Sequence, residues 1–278
     1  MKEWYREEIY QPFSLVHDGE SGERPGALLI HGFTGSPADM RALGELAFAR
    51  GIDAHGMRVP GMASEIEQIN EMTARIWRDA AVREWDAVRA RHRRTVLIGY
   101  SMGGAMALHA AAHHPPDLLI LVAPLVRIGD RRADVLPLAR HLIRRIRPFS
   151  GLTWEDPVVH NWFRRAMPAI DTADPATQAF LRDEAAVSTA MLNELRLLAR
   201  EALRLAPRIT APTFIVQGCH DTIVRARDSR YLVGRMGGLV SYREVPGDHF
   251  LPIRAFGEWN RLEPVISHEL RAWMGKRR

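Results

Sequence analysis

Gly99-Tyr100-Ser101-Met102-Gly103 fits G-x-S-x-G, the pattern of a serine carried on a sharp strand-to-helix turn with its hydroxyl free to attack. The glycines have a steric cause. The serine holds a strained backbone, and the residues two positions to either side press against strand and helix, where a bulky side chain would not fit. Gly104 adds further room. The flanks suit this reading: Thr95-Val96-Leu97-Ile98 is strongly β-forming, and Met102 to His113 is alanine-rich and helical. A serine so placed performs acyl transfer once a base takes its proton.

The chain has 12 histidines from which that base must come. His249, in Gly247-Asp248-His249-Phe250, lies just past the last expected strand, at the sheet edge that carries Ser101, and is the expected general base. The carboxylate that orients it should precede it in the chain. Asp221, in Gln217-Gly218-Cys219-His220-Asp221, follows a clear strand and fits. Asp248 competes, but an immediate neighbour reaches the far ring nitrogen of His249 only in poor geometry, so Asp221 is preferred. Cys219 reads as a buried thiol at a strand end.

Acyl transfer also needs donors for the negative charge that grows on the substrate oxygen. His31-Gly32-Phe33-Thr34-Gly35 follows the first buried strand, where a backbone N–H is expected to point at that oxygen. The expected pair is the amides of Phe33 and Met102, each worth about 3 kcal/mol of barrier. His31 is expected to be structural. His109 and His113, four apart on a helix, could bind a metal, but Ala110 stands where H-E-x-x-H has glutamate and no third ligand is evident, so no metal is expected. The chemistry needs no cofactor.

These groups need a scaffold that brings distant loops together. Short apolar runs at Ala27–Ile30, Ile52–Val59, Thr95–Ile98, Leu118–Val122, Thr213–Val216 and Val240–Val245 read as strands. Helical stretches alternate with them: Ala38 to Arg50, ending at a capping Gly51; Thr73 to His92, with an apolar stripe; and Met102 to His113. The alternation predicts an α/β fold with a mostly parallel sheet covered on both faces, and its ligand site beyond the carboxyl ends of the strands.

Between the strands at Leu118–Val122 and Thr213–Val216 lies a long stretch with no convincing strand. Ala139, Leu142, Ile143 and Ile146 form one helical stripe; Val187, Met191, Leu195, Leu198, Ala202 and Leu205 form another, with Pro148, Pro157, Pro168 and Pro175 as breaks. The expected organisation is a core of residues 1–124 and 209–278 with a helical cap, 125–208, over the site.

The chain's 278 residues can bury a large core, and 46% hydrophobic with 26% charged residues is ordinary for a globular protein. No apolar run approaches the roughly 18 residues that span a bilayer, and the acidic start does not read as a signal peptide, so a cytoplasmic protein without integral membrane association is expected. The single cysteine excludes an internal disulfide. The net charge is +5, but Lys2 and Lys276 are the only lysines and the arginines are scattered along the chain, which reads as a general preference for Arg over Lys and not as a binding patch. No aromatic-plus-basic module accompanies it, so nucleic acid is not an expected partner.

Taken together, Leu28-Leu29-Ile30-His31-Gly32-Phe33-Thr34-Gly35, the Ser101 elbow and Pro212 to Asp221 resemble the bacterial carboxylesterases related to monoacylglycerol lipases, within the α/β-hydrolases. The resemblance covers most of the chain. It implies Ser101, Asp221 and His249 as triad, the Phe33 and Met102 amides as oxyanion hole, a helical cap over an acyl pocket, and esters of fatty acids or monoglycerides as substrates. Thioesters or activated carbon–carbon bonds would use the same triad, and a binding protein on a hydrolase frame is the non-catalytic rival. Many relatives carry Pro-Gly-His-Gly where this chain has Pro60-Gly61-Met62-Ala63.

Overall fold

The computed structural model describes residues 4–18, 24–128 and 144–275. Strands β1 (Phe13–Leu15), β2 (Gly26–Ile30), β3 (Asp53–Met57), β4 (Thr95–Tyr100), β5 (Leu118–Val122), β8 (Thr213–Gly218) and β9 (Val240–Val245) form one sheet in the order β1-β3-β2-β4-β5-β8-β9. Every neighbouring pair is parallel except β1 with β3. β2, β4, β5 and β8 are buried along their whole length, as strands covered on both faces must be. This is the α/β-hydrolase fold. β1 was not expected: its three residues are too short a run to carry a strand signal until β3 offers them an edge.

Two apolar clusters cover the two faces. On one, helices α2 (Ala74–Arg91) and α3 (Met102–His113) bury Trp77, Trp85, Met106 and Leu108 against Leu28, Leu97 and Leu119. On the other, α1 (Ala38–Phe48) packs Met40 and Leu43 against Leu29, Ile98 and Ile120. Gly51 takes a left-handed φ of 78° just beyond α1 and donates to the Phe48 carbonyl at 2.8 Å, which closes that helix.

In the stretch between β5 and β8, Ala139, Leu142 and Ile143 lie outside the described residues. Ile146 belongs to a strand, not a helix. β6 (Arg145–Ile146) pairs antiparallel with β7 (Val187–Ser188), a ribbon too short to show in the sequence. Pro157 and Pro175 open helices where breaks were expected. α4 (Pro157–Ala166) and α5 (Pro175–Asp183) each start on proline after an aspartate that accepts from the first turn, Asp156 from Val158 N at 2.8 Å and Asp174 from Thr177 N at 3.0 Å. α6 (Thr189–Leu205) carries the long predicted stripe and buries Met191, Leu195, Leu198 and Ala202 in the same cluster as α3.

A third cluster joins Trp154, Phe163, Met167, Ile170 and Leu181 of the inserted stretch to Tyr5 near the amino terminus. α6 packs against α2 and α3, and residues before β1 share a cluster with α4 and α5. α7 (Ala226–Val233) and α8 (Trp259–Gly275) complete the fold; α8 packs Leu262, Ile266 and Leu270 beside α1. Among the described residues no helix is long and apolar enough to cross a membrane.

Candidate active site

The loops after β2, β4, β8 and β9 all leave the sheet at its carboxyl edge, and the strand order sets those after β8 and β9 side by side. Ser101 follows β4 directly with φ 54° and ψ −118°, a conformation costly for any residue other than glycine. Its surroundings hold it there. Ser101 N donates to the Val122 carbonyl at 3.0 Å, and its own carbonyl accepts from Gly104 N and Leu125 N, both at 2.9 Å. A Cβ at Gly103 would overlap the backbone carbonyl oxygens of Ile30 and His31, so α3 approaches the end of β2 only because that residue has none.

Ser101, His249 and Asp221 form one chain of hydrogen bonds. The Ser101 hydroxyl donates to His249 Nε2 at 3.0 Å, and His249 Nδ1–H donates to Asp221 Oδ2 at 2.7 Å. All three residues are buried, with side-chain exposures of 8% for His249 and 0% for Asp221. Three further donors hold the Asp221 carboxylate: Ile223 N and Val224 N at 2.8 Å on Oδ1, and Gln217 Nε2 at 3.0 Å on Oδ2. Gln217 is itself fixed by the Ser229 hydroxyl, which donates to Oε1 at 2.6 Å. The sequence reading passed over Gln217; its signal was an amide at the end of an otherwise apolar strand.

Asp248, the rival acid, turns away from the imidazole. Its carboxylate meets the Arg165 guanidinium at 2.9 Å and accepts from Phe250 N at 2.9 Å. Cys219 is exposed, contrary to expectation. It lies one residue beyond β8, where the chain has already left the sheet, although its N–H still donates to the Val245 carbonyl at 3.0 Å.

The loop after β2 lies against the nucleophile: a methyl added at Gly32 would stand 3.1 Å from the Ser101 Cβ. Phe33 follows on the cavity wall, and Met102 is the first residue of α3, where helix geometry leaves its N–H without an intrahelical acceptor. His31 is wholly buried and bridges two loops, accepting from Val59 N at Nε2 (3.0 Å) while Nδ1–H donates to the Gly32 carbonyl (2.9 Å). Burial lowers its pKa to about 4, so it stays neutral. Met62 occupies the place where relatives carry histidine; its sulfur accepts from Thr34 N at 3.2 Å and so supports the same loop. Ala63 beside it holds a φ of 51°, in the place where they carry glycine.

His109 is buried and donates from Nε2 to the Leu198 carbonyl at 3.2 Å. Among the described residues one group, Asp86, His113 and His114, brings possible metal-binding atoms within 4.8 Å of one another. It sits at the opposite end of α3 from Ser101.

A cavity of about 1340 Å³ opens over Ser101 and His249. Its wall is largely apolar, with Phe33, Phe149, Phe163, Met167, Leu181 and Leu192 among its residues, and α4 and α5 contribute much of it. Asp39, near the start of α1, is a polar exception. Its carboxylate accepts from Ser36 N at 3.2 Å, and burial raises its pKa to about 7.

Residues 24–247 match the family described as serine aminopeptidase, S33. The chain belongs to that family. The S33 match contains Ser101 and Asp221 and ends just before His249. A thermostable monoacylglycerol lipase of Bacillus sp. (strain H-257) is 33% identical over 90 residues, 32% of this chain and 36% of that protein, so the match spans about a third of the curated relative's length. Among solved structures, one from the metagenome-derived lipolytic enzymes LipS and LipT superposes with a TM-score of 0.73 at 18% identity, covering 95% of this chain and 98% of the other. The Paleococcus ferrophilus monoacylglycerol lipase gives 0.66 at 16% identity, covering 94% and 98%. At such identities these likenesses speak for the fold.

Proposed function

We propose that this S33-family protein is a serine hydrolase that cleaves carboxylic esters of short- to medium-chain acids, or monoacylglycerols, through an acyl-enzyme on Ser101. The observation that carries the reading is the Ser101–His249–Asp221 hydrogen-bond chain opening into a mostly apolar cavity. At about 1340 Å³ that cavity exceeds the roughly 300–1,000 Å³ usual for small-ligand pockets, which leaves room for an acyl chain beside the reacting carbonyl.

In this mechanism Ser101 Oγ attacks the ester carbonyl as His249 Nε2 takes its proton. The amides of Phe33 and Met102 hold the oxyanion, and Asp221 keeps the imidazole in the tautomer that accepts at Nε2. His249 then protonates the departing alcohol. Water, deprotonated by the same nitrogen, releases the acid and restores the serine. A thioester would follow the same steps.

The family description favours a second reading, an aminopeptidase, which must hold a substrate ammonium near the scissile bond. Asp39 is the carboxyl on the wall beside the oxyanion loop that could serve, but its burial leaves it about half protonated near neutrality. The apolar wall around it suits an acyl chain better.

The test is turnover of p-nitrophenyl esters from acetate to decanoate, beside a monoglyceride, an acyl-coenzyme A and an aminoacyl p-nitroanilide. Ester turnover should dominate, and Ser101→Ala should abolish it with the fold intact. Faster cleavage of the anilide, or ester turnover surviving the substitution, refutes the reading.

A further inference from the structure

Arg165 links α4 to the turn that carries His249. Its guanidinium forks onto the Asp248 carboxylate, Nη1 to Oδ2 at 2.9 Å and Nη2 to Oδ1 at 3.2 Å, and Nη2 also donates to Glu258 Oε1 at 2.9 Å. The group lies over the rings of Phe250 and Phe256, 5.0 and 4.5 Å from their centroids. Its side chain is 18% exposed, so these contacts are sheltered from water, unlike surface ion pairs of small effect. Asp248 Oδ1 in turn accepts from Phe250 N at 2.9 Å, which closes the turn around the histidine between them. The residues on either side of His249 are therefore both gripped by one side chain from the inserted helices. α4 itself buries little else: Phe163 is its one fully buried residue.

We propose that Arg165 is a positioning residue for His249: it holds the turn that presents the imidazole and cancels the charge of Asp248 beside it, so the base is aligned only while α4 is docked. The proposal deepens the ester-hydrolase reading and rests on it for its kinetic test. The groups around the imidazole are Ser101 and Asp221 in direct contact, Tyr100 with its ring centroid 5.2 Å away, Phe250, and Asp248 with Glu258 behind Arg165. Without the guanidinium, the Asp248 and Glu258 charges at the turn are left uncompensated, and their field favours the protonated imidazole.

The experiment compares the wild type with Arg165→Gln, Arg165→Lys and the double variant Arg165→Gln/Asp248→Asn, on p-nitrophenyl acetate and decanoate. Acetate is too short to need the apolar wall. For Arg165→Gln, kcat on acetate should fall about tenfold with KM little changed. The acid limb of the kcat/KM profile should move up by about half a pH unit. Adding Asp248→Asn should return the limb but not kcat. Arg165→Lys, which keeps the charge and loses the fork, should leave the limb in place with kcat lowered, and it carries the test if the Gln variant does not fold. A loss confined to KM for decanoate, with acetate kcat and the acid limb unchanged, would overturn the proposal and make Arg165 a strut for the inserted helices. NMR titration of the His249 imidazole in the wild type and the Arg165 variants reads the same charge effect without substrate. It therefore decides the proposal even if the wild type fails on esters, an outcome that would refute the ester reading alone.

Discussion

Gly103→Ala adds one methyl group to α3, and the structure says that it has nowhere to go. Its carbon would lie 2.5 Å from the His31 carbonyl oxygen and closer still to that of Ile30, where real contacts begin near 3.4 Å. Both obstacles are backbone, so no rotamer relieves them. Helix and strand end must part by roughly 1 Å, which displaces Ser101 and the oxyanion loop from each other, because Gly103 follows the nucleophile by two residues and Ile30-His31 lead into Phe33. Overpacking against rigid atoms costs about 3 kcal/mol. For a chain of this size that lowers Tm by about 6 °C or more. A shift of about 1 Å in the reacting geometry costs about a hundredfold in kcat/KM. Gly104→Ala meets the Pro124 side chain at 2.9 Å and should be milder, and Gly151→Ala, with nothing within 4 Å, should be silent. Thermal melts and steady-state rates on one p-nitrophenyl ester check the order. A Gly103→Ala protein with wild-type Tm and kcat/KM would show that the close approach of α3 to β2 does not hold the site together.

Asp221→Asn should lower kcat/KM by about 10⁴-fold with Tm changed far less, because an amide at this position favours the wrong imidazole tautomer. Asp248→Asn should stay within about tenfold of the wild type, since it acts through Arg165; comparable losses in the two variants would reverse the assignment of the acid. The pH dependence of stability has two opposed parts. His31, whose pKa falls from 6.5 to about 4 on folding, contributes stability that is full above pH 6.5 and lost as pH drops toward 4. Asp39, raised from 3.8 to about 7, does the reverse: its burial weakens the fold above pH 7, an effect of order 4 kcal/mol that fades as pH falls to 4. Asp39→Asn should therefore be more stable than the wild type at pH 8 and lose stability more steeply below pH 6.5. Parallel urea denaturation curves for the two proteins at pH 8 and 5 would contradict this.

Most of the sheet and the chemistry were legible locally. β2, β4, β5, β8 and β9 are apolar or alternating runs bounded by turn residues, and the serine, histidine and aspartate each follow such a run. Parallel strands point all their carboxyl ends one way, so residues distant in the chain can be assigned to one rim without coordinates. Sterically demanding positions such as Gly99 and Gly103 also show in the residue types themselves.

Pairings that depend on a partner far along the chain had no such signal. β1 exists because β3 presents an edge, and β6 because β7 meets it. Arg165 is one arginine among many until the fold sets it against Asp248 and Glu258, 83 and 93 residues away. Tyr5 stands in an acidic start without periodicity, yet it is buried among the inserted helices. Backbone preference and periodicity act over a few residues and are written into the chain. Which side chains share a cavity, which buried carboxyl titrates near neutrality and which helix grips the turn that carries the base depend on distances that exist only once the chain has packed.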